Sequence, residues 1–184
     1  MTKRIYIIPL GFNDRSLFRS LFDPLSLSLA HYFGMPAHVK HISLNINQVF
    51  DPYRNQYNSS VLLAQLIDDP PADVGRILGV CNFDLFIPIL TYVFGEAQLE
   101  GIGAIVSIYR LKNEFYGGQP DHHLLMERLL KEATHELGHT YGLYHCHYPG
   151  CVMNNSTYVE DIDDKTVMPC RDCLRIIKKG GTKV

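Results

Sequence analysis

The chain has 184 residues, of which 46% are hydrophobic and 20% charged, and its formal net charge is -2. This length is sufficient for one domain with its own core. The small net charge provides no basic field to hold a phosphate backbone, and no stretch reaches the ~18 consecutive apolar residues that a membrane span needs. We therefore expect a cytoplasmic protein, monomeric, that binds neither nucleic acid nor membrane.

Strand and helix patterns alternate through the first half of the chain. Residues 4–10 form an apolar run typical of a buried strand, and residues 14–33 repeat Leu and Phe at helical spacing. A second strand is predicted over 37–44, a short helix over 59–68 and a third strand over 84–90. This alternation indicates an α/β sheet lobe.

The second half contains one more strand and the longest helix. Residues 101–111 are rich in β-branched and apolar side chains, which predicts a strand. A helix then begins after Asp121, a suitable N-cap, and ends at Gly142. Beyond it the chain is irregular until a short helix predicted over 171–179. We expect a smaller C-terminal lobe, with the long helix at the boundary of the two lobes and a substrate cleft between them.

The end of the long helix carries the stretch HELGHTYGLYHC, which begins at His135. Each helical residue advances ~100°, so His135 and His139 lie about 40° apart on one face, and both imidazoles can reach one ion. Glu136 is turned ~100° from His135, which leaves its carboxylate beside the ion and able to hold a water. These three residues predict a metal site with an adjacent base.

A catalytic zinc ion normally takes three protein ligands, and His145 is the third candidate. On a continued helix His145 would lie about 240° around the axis from His139, too far to reach the same ion. Gly142 allows the chain to turn back and bring it there. The alternative is that the histidines are ordinary core or surface residues, but the five matched positions of HExxHxxGxxH favour zinc. The remaining histidines nearby, His122, His123 and His147, are predicted to be surface residues.

Four of the five cysteines lie close together in the sequence, with the spacing CxxxxC, 18 residues, CxxC. They are Cys146, Cys151, Cys170 and Cys173. Two pairs of thiolates at this spacing fit a closed structural zinc site, which would stabilise a segment too polar to build its own core. Two alternatives stay open: two disulfides, or Cys146 as a ligand of the catalytic ion.

The extended histidine motif resembles that of the metzincin clan of zinc peptidases, in which a turn carrying a methionine lies beneath the metal. Met153 lies eight residues after His145 and is our first candidate for this methionine; Met168 is the second. The combined pattern HExxHxxGxxHCxxxxCxM with a later CxxC is similar to the archaemetzincin family, and the match covers residues 135–173.

The resemblance implies a zinc metalloprotease that acts on a peptide or protein substrate and holds two zinc ions per chain, one catalytic and one structural. It also implies a metzincin-like α/β fold, with an N-terminal twisted mixed sheet with helices and a small irregular C-terminal subdomain. Residues 1–184 would form a single catalytic domain, divided into 1–142 with the active-site helix and 143–184 with the Met-turn and the four-cysteine site. Glu136 would be the general base and acid.

Members of the clan align substrate along an edge strand, and the strand upstream of the long helix is similar in position. The resemblance therefore implies peptide binding along Gly103, Ala104, Ile105, Val106 and Ser107, although any buried strand of an α/β lobe would have this sequence pattern. An alternative function is a zinc-stapled peptide-binding module with little or no turnover. The intact Glu136 argues against that alternative, because a module without turnover needs no base.

Overall fold

Short apolar runs separated by helices form a mixed sheet covered by helices. The computed structural model describes residues 2–180. Its strands are β1 (Arg4–Leu10), β2 (Ala37–Val39), β3 (Phe50–Asp51), β4 (Gln56–Asn58), β5 (Val74–Cys81), β6 (Leu85–Phe86), β7 (Gly95–Ala97) and β8 (Gly103–Ser107). Its helices are α1 (Arg15–Phe33), α2 (Ser59–Leu66), α3 (His122–Thr140), α4 (Val159–Asp163) and α5 (Arg171–Lys178).

The main sheet has five strands in the order β2-β1-β5-β8-β7. Strands β2, β1, β5 and β8 run parallel, and β7 pairs antiparallel with β8 at the edge. A second, small sheet joins β3, β4 and β6. The mixed α/β architecture predicted from the sequence is therefore confirmed.

Helices cover the two faces of the main sheet. Helices α1 and α3 pack with Ile7, Val80 and Val106 on one face, whereas α2 packs with Ile8 and Ile105 on the other. Because the central strands are buried on both sides, they are apolar almost throughout rather than alternating with polar residues. Helix α3 contacts β8 and β7, so its C-terminal half lies beside the antiparallel edge of the sheet.

Two of the predicted strands differ from the observed ones. The strand predicted over 84–90 is much shorter than expected, because only Leu85–Phe86 is a strand, and it belongs to the small sheet rather than to the main one. The third strand along the chain in the main sheet is β5, which the apolar pattern did not reveal since Gly75, Arg76 and Gly79 interrupt it. The second predicted strand is shorter than expected, because β2 pairs only with β1.

The predicted edge strand Gly103–Ser107 lies inside the sheet, and this prediction is corrected. All five residues, Gly103, Ala104, Ile105, Val106 and Ser107, are buried in β8. Strand β8 pairs with β5 on one side and with β7 on the other, so its backbone groups are already used in the sheet. The strand that faces outward beside α3 is β7, whose three residues are half-buried.

Beyond α3 the chain is mostly irregular, as expected, and carries the short helices α4 and α5. A separate small core forms here around Val152, Met153 and Ile177. Among residues 2–180, no helix combines the length and the apolar character that crossing a membrane requires.

Candidate active site

Helix α3 ends in a turn that reverses the chain toward its own last residues. Gly142 has a φ of 83°, a left-handed conformation that glycine adopts at low cost. The Leu143 N–H donates to the Gly138 carbonyl at 3.3 Å and the Gly142 N–H donates to the His139 carbonyl at 2.9 Å, which is the Schellman pattern. The turn predicted at Gly142 is confirmed, and it returns the following residues to the helix end.

Backbone carbonyls fix the orientation of two histidine rings. His135 Nδ1 lies 2.8 Å from the Val152 carbonyl oxygen, and His139 Nδ1 lies 2.6 Å from that of Leu143. A carbonyl can only accept, so each Nδ1 carries the proton and each Nε2 keeps a lone pair. The two Nε2 atoms are 3.1 Å apart. Two lone pairs that face each other at this distance repel unless a cation lies between them.

His145 completes a group of three imidazoles. One nitrogen from each of His135, His139 and His145 lies within 4.8 Å of the others. Tetrahedral zinc with bonds of ~2.0–2.1 Å separates its nitrogen ligands by about 3.4 Å, and the 3.1 Å between the Nε2 atoms of His135 and His139 is close to this. His145 itself is exposed, so the group is open to solvent on one side. The donor set therefore fits a zinc ion with a free coordination position.

The surroundings of the three rings favour their neutral form, which is the form that binds metal. Burial lowers the pKa of His135 well below its ordinary value, and the nearby Lys165 cation lowers it further. Burial also lowers the pKa of His139 and of His145. The three imidazoles are therefore neutral at neutral pH, and a metal ion need not displace protons from them.

Glu136 is buried between α3 and the edge strand β7. A side chain at Gly95 would meet Glu136 Oε1 at 2.6 Å and the Ile105 carbonyl oxygen at 2.6 Å, so only glycine leaves room for the carboxylate. Burial raises the pKa of Glu136 well above its ordinary value, and the neighbouring Glu132 raises it further. Gly95 is a residue whose importance the sequence did not indicate, because the contact joins elements far apart in the chain.

The four cysteines come together in a second group. Their sulfur atoms all lie within 4.8 Å of one another. The Sγ atoms of Cys146 and Cys170 are 3.8 Å apart and those of Cys151 and Cys173 are 3.9 Å apart. A disulfide requires ~2.05 Å, whereas tetrahedral zinc with Zn–S bonds of ~2.3 Å separates its sulfurs by about 3.8 Å. The distances therefore fit a four-cysteine zinc site, and all four cysteines are free rather than paired in disulfides.

Met153 lies beneath the histidine-bearing end of α3. Its side chain is fully buried, and its Sδ fills the space beside Gly138. Gly138 lies between His135 and His139 in the sequence. The Cys146 N–H donates to the Met153 carbonyl at 2.9 Å, which holds this turn against the segment after His145. Met168, the second candidate, is only half-buried, and its carbonyl accepts a hydrogen bond from the Val152 N–H at 3.4 Å.

A cleft of about 730 Å³ opens over the three histidines. Its lining consists of Ile87, Leu90, Thr91, Tyr92, Val93, Phe94, Gly95, Ala97, Leu99, Glu132, His135, Glu136, His139, Tyr144, His145, Asn155, Ser156, Thr157 and Tyr158. Tyr92, Tyr144 and Tyr158 were not predicted as site residues, since tyrosines in loops have no characteristic spacing. His122, His123 and His147 are exposed, as expected, and none of them lines this cleft.

An α/β fold with three imidazoles and a buried glutamate in an open cleft is typical of zinc-dependent hydrolases, among them the zinc peptidases. The model of peptidase family M54 matches residues 35–179 of this chain. An archaemetzincin of Methanocaldococcus jannaschii is 37% identical over 182 residues, which cover 98% of this chain and 96% of that protein.

Solved structures agree with the sequence match. The crystal structure of archaemetzincin from Methanopyrus kandleri superposes with a TM-score of 0.84 at 32% identity, covering 97% of this chain and 95% of that one. A zinc-dependent peptidase from Methanocorpusculum labreanum has a TM-score of 0.77 at 31% identity, covering 94% of this chain and 99% of that one. The chain belongs to peptidase family M54, together with the archaemetzincins, and is a zinc metalloprotease.

Proposed function

We propose that this metalloprotease hydrolyses peptide bonds at a zinc ion held by His135, His139 and His145, with Glu136 as general base. One observation carries the proposal. The Nε2 atoms of His135 and His139, neither of which carries a proton, lie 3.1 Å apart, and the buried Glu136 carboxylate follows His135 directly in the chain. Zinc bound there would lower the pKa of a coordinated water and polarise the scissile carbonyl.

The protein residues divide the remaining work. The Glu136 carboxylate accepts the proton of the attacking water and then donates it to the leaving amine nitrogen. Burial raises the pKa of Glu136, which makes its carboxylate a stronger proton acceptor. Val152 and Leu143 hold the two helical imidazoles in their orientation through their carbonyl groups.

Substrate would lie along β7 rather than along the buried β8. Strand β7 is an edge strand of the main sheet and contacts α3. Its residues Gly95 and Ala97 line the cleft. An extended peptide can add to such an edge through backbone hydrogen bonds. Apolar side chains such as Ile87, Leu90 and Leu99 line the same cleft, which favours peptides with apolar residues near the scissile bond.

A second zinc ion is proposed for Cys146, Cys151, Cys170 and Cys173, so that the chain holds two zinc ions. The backbone supports this site, since the Cys170 N–H donates to Cys151 Sγ at 3.1 Å and the Tyr148 N–H donates to Cys146 Sγ at 3.4 Å. Met153 is proposed as the methionine beneath the catalytic ion. A cytoplasmic location, a monomeric state and the division at residue 142 stay predictions.

The test of the catalytic role is Glu136→Gln, with activity and zinc measured on the same sample. We expect peptide hydrolysis to fall by about 100-fold or more, because removal of a general base costs ~10²–10⁴ in rate, while the zinc content stays that of the wild type. Retained hydrolysis at full zinc content would contradict the assignment of Glu136. Peptide binding of equal strength in the wild type and the variant, with no turnover in either, would favour the binding-module alternative.

A further inference from the structure

The C-terminal end of helix α3, which carries His135 and His139, is attached to an arginine of the main sheet. Arg76 lies in β5, and its Nε–H donates to Thr140 Oγ1 at 2.8 Å. Its Nη2 group donates to the Thr140 carbonyl oxygen at 3.3 Å. Thr140 is the last residue of α3 and follows His139 directly in the chain. The guanidinium therefore holds the helix end at the residue next to a proposed zinc ligand.

The remaining nitrogen and the face of the guanidinium are held as well. The Arg76 Nη1 group donates to the Gly75 carbonyl oxygen of the same strand at 2.7 Å. The guanidinium carbon lies 4.0 Å from the centre of the Tyr141 ring, a cation–π contact. The Phe33 ring stacks on that of Tyr141, with centroids 5.4 Å apart. Arg76 thus contacts both of the residues that follow His139.

These contacts of the Arg76 guanidinium are with neutral groups, namely a hydroxyl, two carbonyl oxygens and an aromatic ring. Burial lowers the pKa of Arg76, so its charge carries a desolvation cost. A cation at the last turn of a helix is stabilised by the free carbonyl groups there, which form the negative end of the helix dipole. The cost and the contacts together indicate a role at the end of α3.

The stretch that Arg76 contacts lies between a ligand ring and the group that orients it. His139 Nδ1 is held by the Leu143 carbonyl oxygen at 2.6 Å. The chain from His139 to Leu143 passes through Thr140 and Tyr141 and then leads on to the third histidine. A shift of Thr140 or Tyr141 would therefore move the Leu143 carbonyl relative to the His139 ring.

We propose that Arg76 is a positioning residue for the catalytic zinc ion, because it fixes the turn between His139 and Leu143. It is not among the residues that line the cleft, so it acts on the ion through this turn and not by contact with the substrate. Groups that orient a metal ligand contribute to metal affinity, and their loss usually weakens binding by ~10–100-fold. This inference rests on the proposed function, since it requires zinc at the three histidines.

The test is Arg76→Met, with zinc affinity measured on the folded protein by competition with a chelator. The release step that is absent from His135→Ala/His139→Ala belongs to the histidine site. We expect Arg76→Met to hold zinc there about 10–100-fold more weakly than the wild type. Arg76→Lys keeps the charge but offers a point charge instead of a fork of donors, so it should recover only part of the loss. Wild-type affinity in Arg76→Met would overturn the inference.

Arg128→Met is the matched control for lost stability. The buried Arg128 also lies on α3 and donates to both carboxylate oxygens of Asp163, at 2.7 and 2.6 Å, but it precedes His135 by about two helical turns. We expect this variant to unfold at a lower urea concentration than the wild type, because an ion pair is broken, and to keep the wild-type zinc affinity. Equal weakening of zinc binding in Arg76→Met and Arg128→Met would overturn the inference, since it would indicate a general loosening of α3.

Thr140→Val tests the connection between Arg76 and the helix end with the arginine in place, so it decides the matter even where Arg76→Met does not fold. Valine lacks the Oγ1 acceptor, and zinc binding at the histidines should weaken by about two- to tenfold, as for the loss of one hydrogen bond. Arg76→Met/Thr140→Val should bind zinc no more weakly than Arg76→Met alone, because the two residues act as a unit.

Two further results would contradict the proposals. Unchanged zinc affinity in Thr140→Val, or a full additional loss in the double variant, would overturn the inference while leaving the proposed function intact. If the wild type and His135→Ala/His139→Ala release zinc in the same way, the proposed function is overturned, and the inference with it.

Discussion

Gly95 determines whether the proposed base has room to lie beside the zinc ligands. A Cβ atom at this position would meet Glu136 Oε1 at 2.6 Å. We expect Gly95→Ala to lower peptide hydrolysis by about tenfold or more while zinc content is unchanged, because displacement of the carboxylate weakens proton transfer. Activity assays and elemental analysis of one sample measure the two effects.

The double variant Gly95→Ala/Glu136→Gln separates an effect on Glu136 from a general disturbance of β7. If Gly95 acts through Glu136, the double variant is no slower than Glu136→Gln alone, because residues that act as a unit are not additive. A further loss of similar size in the double variant would contradict this assignment.

The three imidazoles predict an unusual pH dependence of zinc binding. Protons compete with zinc only below the pKa of each ligand, and here the pKa values of His135, His139 and His145 are lowered by burial. Three ordinary imidazoles with a pKa of ~6.5 would lose roughly 30-fold in zinc affinity between pH 7 and pH 6.

The neutral forms persist to lower pH when the pKa is lowered, so the loss over this interval should be smaller than the roughly 30-fold of ordinary imidazoles. Competition of the catalytic site with a chelator of known affinity, at pH 7 and at pH 6, measures it. A loss close to that of ordinary imidazoles would mean that the rings are better hydrated than their burial indicates.

At the scale of elements, long periodic segments could be predicted and short ones could not. Strand β1 and helix α3 are continuous in pattern, and the proposed metal ligands on α3 followed from helix geometry together with the HExxH motif. Strands β5 and β7 were missed, because two glycines and an arginine interrupt the first, and the second has only three residues. Sequence patterns did not reveal the contacts of the cleft either. Gly95 meets Glu136 and Tyr92 meets Thr157, and in both pairs the two residues are far apart in the chain.

A buried ion pair joins α3 to the segment after α4. Lys165 Nζ lies 3.4 Å from Glu132 Oε1, and both side chains are almost fully buried. Lys165→Met would leave the Glu132 carboxylate buried without its partner, so we expect the free energy of unfolding to fall by about 3–5 kcal/mol. Urea denaturation of the zinc-loaded proteins measures the change.

Two further variants show whether the loss of stability comes from the unpaired charge or from lost packing. Arg175→Met removes a partner from the exposed pair with Asp172, and we expect a change of about 0–1 kcal/mol. Lys165→Met/Glu132→Leu removes both buried charges and should recover most of the stability, because the uncompensated carboxylate is then absent. A double variant as unstable as Lys165→Met would show that packing of the lysine stem, rather than charge, is what matters.

Across the whole molecule the two proposed zinc sites share one stretch of backbone. His145 is followed directly by Cys146, and Cys151 is followed by Val152, whose carbonyl oxygen orients His135. Residues 147–150, which lie between Cys146 and Cys151, do not belong to the small core of this region. Zinc at the cysteine site would therefore fix the position of two parts of the proposed histidine site, and we expect its loss to affect the ion there.

The last prediction concerns Cys170→Ala/Cys173→Ala, which removes half of the cysteine group. Wild-type protein should contain about two zinc ions per chain, and the double variant at most one. The remaining ion should bind about 10–100-fold more weakly, the usual cost when a group that orients a metal ligand is disturbed. Cys81→Ala is the control, because Cys81 is buried and belongs to neither group, and it should keep both ions.

One zinc ion in both the wild type and the double variant would contradict the four-cysteine site. A second outcome, one remaining ion bound as tightly as before, would mean that the histidine site holds its geometry without help from the cysteines.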